Sequence, residues 1–316
     1  MNSNRRLIAL LLVSVTIFTA CSKLKTNPSA DPNARQHNED VNNTKSESDN
    51  LNTDINNVLR QVSAFSGKTD ETTAFNICGA TVDTTQGGQY PTVLITFDGT
   101  TACGSPARKR SGTVKIELVA GAHWGDLNSK LRVTHTDYKV TFVELNNHYV
   151  TFNGIKYLTC LQQIDWIGYY FNGSASTRIK ERSYDVTVTF ENGSTDSWNC
   201  ARLTDWSVTN YSNFSVTVNG DTTIDGRTID SWGTTRFGTA FTTEMITPWK
   251  SGTTCGWWRP TQGKYTSRTD NFTVTATAGV DQNGNTVSSG CGAYGYKLEW
   301  DYSSGTATGE TVIKYF

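Results

Sequence analysis

The chain has 316 residues, a net charge of −1 and 18% charged residues. This near-neutral balance excludes the basic surface that nucleic-acid binding requires, so no nucleic-acid partner is expected. Seven cysteines and nine tryptophans are the most informative residue types.

The first residues have the pattern of an export signal. Arg5 and Arg6 precede an apolar segment over residues 7–18, which matches a signal-peptide core and is shorter than the roughly 20 residues of a membrane-spanning helix. The sequence Phe-Thr-Ala-Cys that ends at Cys21 resembles the lipobox of bacterial lipoproteins. We therefore predict a signal peptide over residues 1–20 and a lipid-modified Cys21, with an ordinary secretory signal as the alternative.

Residues 21–48 are predicted to be the lipidated terminus followed by a disordered tether. Asn, Ser, Asp, Lys and Pro dominate this segment, and Leu24 and Val41 are nearly its only large apolar side chains. Such a composition buries too little apolar surface to fold. Two or more lipid chains on Cys21 would anchor the protein stably. The predicted localisation is the cell envelope, lipid-anchored to the outer membrane, with the periplasmic and surface faces both left open.

A short amphipathic helix is predicted next, over residues 49–66. Apolar residues recur there at a spacing of three or four, which places them along one side of a helix. These residues are Leu51, Ile55, Val58, Leu59 and Val62. We expect the stripe to pack on a sheet, and a partner-binding role for the helix is the alternative.

Residues 67–316 are predicted to be an antiparallel β body. Segments such as 92–97 and 184–190 are β-branched and aromatic, and Asn-Gly or Asp-Gly pairs separate many of them. Short turns between successive strands indicate antiparallel meanders rather than parallel units. The predicted fold class is all-β, with meanders forming a sandwich or an extended twisted sheet behind one short N-terminal helix. A split into two subdomains near residues 165–180 is left open.

Six cysteines remain once Cys21 is set aside. An even number in an exported chain favours disulfides, and the spacing of the cysteines and histidines does not fit a zinc site. We expect neither a metal nor a cofactor. Many pairings are possible, and we favour the sequential one. Its pairs are Cys78–Cys103, Cys160–Cys200 and Cys255–Cys291.

Motifs at the two ends of the body resemble those of a known family. The N-terminal motifs are Cys78, Thr81-Val82, Phe97-Asp98-Gly99, Cys103 and residues 110–114, and the C-terminal ones are Cys255-Gly256-Trp257, Gly263 and Gly290-Cys291. The pattern is similar to that of an uncharacterised β-rich lipoprotein family common in Bacteroidetes. The resemblance implies cysteine pairs that join hairpins, which supports the first and third pairs. It implies no activity, and the middle of the chain around Cys160 and Cys200 departs from the pattern.

The sequence contains no recognisable catalytic motif. It lacks a nucleophile elbow, a zinc-protease helix and a phosphate-binding loop, and its carboxylates are too numerous to single out a glycosidase pair. The best candidate ligand site combines tryptophans, whose faces stack on sugar rings, with neighbouring carboxylates that bond to hydroxyls. Its residues are Asp196, Trp198, Asp230 and Trp232. The alternative is that these tryptophans fill the core.

Together these observations predict a membrane-anchored, exported lipoprotein with a non-enzymatic structural or interaction role. A glycan-binding surface lipoprotein that uses Trp and Asp platforms is the alternative, and a hydrolase is the third hypothesis. The predicted partners are the membrane, through the lipid anchor, and either a glycan or another envelope protein.

Overall fold

The structure is a computed structural model that describes most of the chain from Pro32 onward. The described residues are 32–67, 75, 77–104, 107–143, 147–164, 170–171, 173–210, 213–255, 259–288, 290–303 and 308–315. The predicted signal peptide and Cys21 lie outside the described residues.

Two helices come first: α1 spans Pro32–Leu59 and α2 spans Ser63–Ser66. The tether predicted over residues 21–48 is therefore wrong from Pro32 onward, and the helix predicted over residues 49–66 is the second half of α1 followed by α2. Asparagine, serine and threonine are frequent in α1, and these residues favour helices only weakly. Packing against the rest of the protein, more than intrinsic propensity, therefore holds α1 helical.

Fifteen strands are described, and all belong to one sheet. The first eight are β1 Ala80–Asp83, β2 Thr92–Cys103, β3 Arg108–Ala120, β4 Lys130–Phe142, β5 His148–Gln162, β6 Ala175–Phe190, β7 Thr195–Thr209 and β8 Asn213–Gly220. The others are β9 Thr222–Ile224, β10 Arg227–Thr234, β11 Ala240–Gly252, β12 Gln262–Thr269, β13 Phe272–Val280, β14 Gly295–Tyr302 and β15 Thr308–Lys314. The predicted all-β, antiparallel fold is confirmed, as one extended sheet rather than a two-sheet sandwich.

The strands follow one another across the sheet in nearly sequential order. β1 to β7 lie side by side and are followed by β10 to β15. β7 pairs with β10 through its first half and with β8 through its second half, and β8 also pairs with β11. β5 pairs with β6 over most of their lengths. The sheet therefore continues from β5 to β6 without the division considered near residues 165–180.

The sheet curves around α1. Polar side chains along the helix bond to strands from β3 to β12. The bonded pairs are Asp54–Arg110 on β3, Glu47–Tyr138 on β4, Ser48–Glu181 on β6, Asp49–Arg202 on β7, Lys45–Asp230 on β10 and Asn38–Tyr265 on β12. One helix can reach so many strands only where the sheet bends around it. The apolar side of α1, which includes Leu51 and Ile55, belongs to the same buried core as the inner residues of the strands.

The two cysteine pairs supported by the family resemblance are disulfides in the structure. Cys78 is bonded to Cys103 and Cys255 is bonded to Cys291. The first bond ties the segment before β1 to the end of β2. The second joins the segments that follow β11 and precede β14, which are far apart in sequence. Both bonds therefore fasten loops at the ends of strands.

The predicted Cys160–Cys200 disulfide is wrong, because both thiols are free and buried. Cys160 lies opposite Ile179 on β6, whereas Cys200 lies opposite Ser183 on the other side of β6. The intervening strand alone separates the two cysteines by about 10 Å across the sheet, and their partners on β6 are four residues apart, so they lie beyond the Cα–Cα reach of a disulfide. Burial raises the pKa of the Cys200 thiol to about 12, which keeps it protonated and unreactive.

Candidate functional site

A cleft of about 670 Å³ lies between α1 and the concave face of the sheet. We call it the α1 cleft. Its polar wall comes from α1 and includes Asn42, Asn43, Ser46, Asp49, Asn50 and Thr53. Its apolar wall comes from the sheet and includes Ile179, Trp206, Val216, Val218, Met245 and Trp249. The cleft thus offers hydrogen-bonding groups on one side and apolar surface on the other.

The spacing of polar residues along α1 produces the polar wall. Asn42, Ser46, Asp49 and Thr53 recur at intervals of three or four, so they lie along one side of the helix. Leu51 is fully buried in the core on a different side. A single helix therefore fills the core with one side and lines the cleft with another.

Strand register places two indoles on the apolar wall. Trp206 of β7 lies opposite Val216 of β8, and Val218 of β8 lies opposite Trp249 of β11. Directly opposite residues point to the same face of a sheet, as do residues two apart along one strand. Gly263 makes room for the second indole, since a Cβ at that position would lie 2.4 Å from the ring of Trp249.

Four cations line the cleft, and three of them are each matched by an anion. The pairs are Lys45–Asp230 at 2.6 Å, Arg202–Asp49 at 2.8 Å and Arg108–Glu47 at 3.6 Å. Burial lowers the pKa of Lys45, although the nearby Asp230 carboxylate opposes that change. Each pair is neutral in itself, and the fourth cation, Lys314 of β15, is exposed to solvent.

Glu181 connects the cleft lining to the interior. Its carboxylate lies 3.2 Å from Lys156 Nζ and 3.7 Å from Arg202 Nη1, and it accepts hydrogen bonds from Ser48 and Asn52 of α1. Burial alone would raise the pKa of Glu181, but the two cations outweigh burial and lower it to about 2. Glu181 therefore remains ionised and joins β5, β6 and β7 to α1.

Several polar groups at the cleft have no partner among the described residues. The side-chain amides of Asn43 and Asn50 form no hydrogen bond there. Arg202 is only 3% exposed, and its Nε has no hydrogen-bond acceptor. A buried donor without an acceptor costs free energy. The groups that a ligand in the cleft could reach are the half-buried amides of Asn43 and Asn50.

The structure does not bring the four predicted site residues together as a surface platform. Trp198 is 6% exposed and packs 5.6 Å from the ring of Phe241 in the core. Trp232 lies opposite Asn199, the neighbour of Trp198, so the two tryptophans occupy opposite faces of the sheet. The prediction of one binding platform that contains both Trp198 and Trp232 is therefore wrong.

The two predicted carboxylates are also buried. Asp230 is fully buried, pairs with Lys45 and lines the α1 cleft. Asp196 is 3% exposed, and its Oδ1 has no hydrogen-bond partner in the described part of the chain. Burial first, and the nearby charge of Asp40 second, raise the pKa of Asp196 to about 8. Only Asp230 of the four predicted residues belongs to the cleft.

Asp196→Asn is expected to remove part of the pH dependence of stability. Between about pH 4 and pH 8 the folded chain keeps a proton on Asp196 that the unfolded chain releases. This group therefore lowers the free energy of unfolding as pH rises through that window, by up to about 1.4 kcal/mol per pH unit. Urea unfolding should show that the free energy of unfolding falls less between pH 5 and pH 8 for the variant than for the wild type. Equal losses would contradict this assignment.

Three further findings bear on the kind of site. Across the described residues, no cluster of three or more His, Cys, Asp or Glu side chains is arranged to hold a metal ion. No helix within the same residues combines the length and apolar character needed to cross a membrane. No protein-family model, curated protein or solved structure matches the chain.

Proposed function

We propose that this protein is an exported lipoprotein, held on the outer membrane by a lipid on Cys21, that binds a ligand in the α1 cleft without altering it chemically. The cleft carries the proposal, because it combines an apolar wall with a polar wall whose Asn43 and Asn50 amides form no hydrogen bond among the described residues. Two disulfides support export, since such bonds persist in oxidising compartments. They also support membership of the β-rich lipoprotein family that the cysteine motifs resemble.

The state of the carboxylates favours binding over hydrolysis. General acid–base catalysis works best with a pKa near the operating pH and a group within reach of the substrate. Burial raises the pKa of Asp49, but its carboxylate is bound by Arg202. Asp230 is paired with Lys45, and the pKa of Glu181 is about 2. We therefore expect the cleft to bind a ligand without catalysing a reaction. Asn50→Trp, which fills the cleft, should abolish that binding.

Cys21→Ala is expected to release the protein from the membrane. The cysteine thiol is the group that carries the lipid in lipoproteins, and alanine offers no atom for that bond. Metabolic labelling with an alkyne fatty acid should mark the wild type and not the variant, and membrane fractionation should move the variant out of the membrane pellet. Cys160→Ala serves as the control, because it removes a buried free thiol and should leave labelling intact. Continued labelling of Cys21→Ala would refute the anchor.

A further inference from the structure

We infer that the ligand of the α1 cleft is a neutral oligosaccharide, with its apolar ring faces on Trp206 and Trp249 and its hydroxyls directed to the polar wall of α1. The inference rests on the proposed binding function and specifies the ligand class for the same cleft. Three features of the lining carry it: charge balance, the spacing of the indoles and the kind of hydrogen-bonding groups present.

The charge balance favours a neutral ligand. Lys45, Arg202 and Arg108 each have an anion within 3.6 Å, and Lys314, the fourth cation of the lining, is exposed to solvent, where water screens its charge. An anionic ligand would have to compete with carboxylates that these cations already bind, and a buried charge left without a partner is costly. A neutral ligand leaves every pair intact.

The spacing of the two indoles favours a chain of sugars over a single ring. β8 lies between β7, which carries Trp206, and β11, which carries Trp249. Adjacent strands are about 4.8 Å apart, so the two tryptophans are separated by about 10 Å across the sheet. One sugar ring cannot stack on both, whereas consecutive units of an extended oligosaccharide can.

The polar wall suits hydroxyl groups. The amides of Asn43 and Asn50 each offer donors and an acceptor, and a sugar hydroxyl can both donate and accept. A purely apolar ligand such as an acyl chain would cover these groups without bonding to them, at a free-energy cost. The opposite walls therefore match a ligand with apolar ring faces and polar edges.

Isothermal titration calorimetry with the mature, lipid-bearing protein tests this inference. The probes are the neutral hexasaccharides of cellulose, starch, chitin, mannan and xylan, with the matching disaccharides, and polygalacturonate hexamer as the anionic comparison. We expect one neutral series to bind, with affinity rising from disaccharide to hexasaccharide, and the anionic hexamer not to bind. Trp206→Ala and Trp249→Ala should each weaken binding about tenfold.

Matched variants separate this effect from unfolding. Trp232→Ala removes a tryptophan from the opposite face of the sheet and should leave binding unchanged. Asn43→Leu removes only a cleft amide that forms no hydrogen bond among the described residues, so it should weaken binding while the circular dichroism spectrum stays that of the wild type. The inference is overturned when no neutral hexasaccharide binds, when the anionic hexamer binds in preference, or when the Trp206, Trp249 and Asn43 variants bind like the wild type.

Failure of the carbohydrate inference can be told apart from failure of the binding function. Native mass spectrometry of the lipoprotein extracted from its own membrane detects any tightly held small molecule. A non-carbohydrate adduct that is lost in Asn50→Trp keeps the binding function and overturns the carbohydrate inference. The absence of any adduct, together with no hexasaccharide binding, overturns both.

Discussion

Replacing Glu181 with glutamine is expected to lower the free energy of unfolding by about 3–5 kcal/mol, because it removes the anion from a buried cluster and leaves two cations without it. Glu181, Lys156 and Arg202 have side chains that are at most 4% exposed. Glutamine keeps the size of the side chain and can still bond to Ser48. The expected loss therefore reports charge and not packing. Equilibrium unfolding in urea at pH 7 measures it.

Asp205→Asn provides the matched control for Glu181→Gln. Asp205 binds Arg178 through two hydrogen bonds on the outer side of β6 and β7. Both side chains are more than 40% exposed, so water screens the pair and its loss should cost at most about 1 kcal/mol. A Glu181→Gln loss no larger than the control loss would contradict the role assigned to the buried cluster.

The same variant should change how stability depends on acid. The pKa of Glu181 is about 2 in the folded protein, below its ordinary value of 4.5. Its stabilising contribution is therefore complete above about pH 4.5 and is lost as pH falls towards 2. Glu181→Gln should lose less stability than the wild type across that interval, because glutamine has no proton to gain.

Most of the sheet could be predicted from the sequence, because strand alternation and turn dipeptides are local signals. The predicted strand at residues 92–97 begins β2, and the one at residues 184–190 ends β6. Whether the meanders make one sheet or two depends on curvature and on long-range pairing. The sequence therefore did not reveal that the strands form a single sheet. It also did not reveal that β10 and β8 lie end to end between β7 and β11.

The first half of α1 escaped prediction because part of its buried side is polar. Ala34 and Val41 are buried at helical spacing, but His37 and Thr44 are the residues that continue the stripe. His37 is buried because it bonds to Ser267 of β12 at 2.7 Å, a contact that no local pattern reveals. A segment without an apolar stripe therefore resembles a tether in the sequence. Because the polar wall of the cleft belongs to this helix, it could not be predicted either.

The site residues show the limits of pairing tryptophans with nearby acids. Trp206 adjoins Asp205 in the sequence, yet alternation sends the indole into the cleft and the carboxylate to the outer face. Trp249 has no acidic neighbour and could be found only from the register that sets it beside Val218. The sequence therefore indicated that tryptophans could bind a ligand. Which tryptophans line the cleft depends on the face of the sheet to which each one points.

Filling the cleft is expected to abolish binding without unfolding the protein. Asn50 lines the cleft and forms no hydrogen bond among the described residues, so Asn50→Trp adds volume where the ligand would lie and breaks no hydrogen bond of those residues. Asn57→Trp is the matched control, since Asn57 is an exposed residue of the same helix. Thermal unfolding of both variants should stay close to that of the wild type.

Native mass spectrometry of the lipoprotein extracted from its own membrane tests the binding role of the α1 cleft most directly. A non-covalent adduct is expected on the wild type and on Asn57→Trp, and it should be absent from Asn50→Trp. An adduct retained by Asn50→Trp, or a wild-type protein with no adduct, would contradict the assignment of the cleft as the binding site.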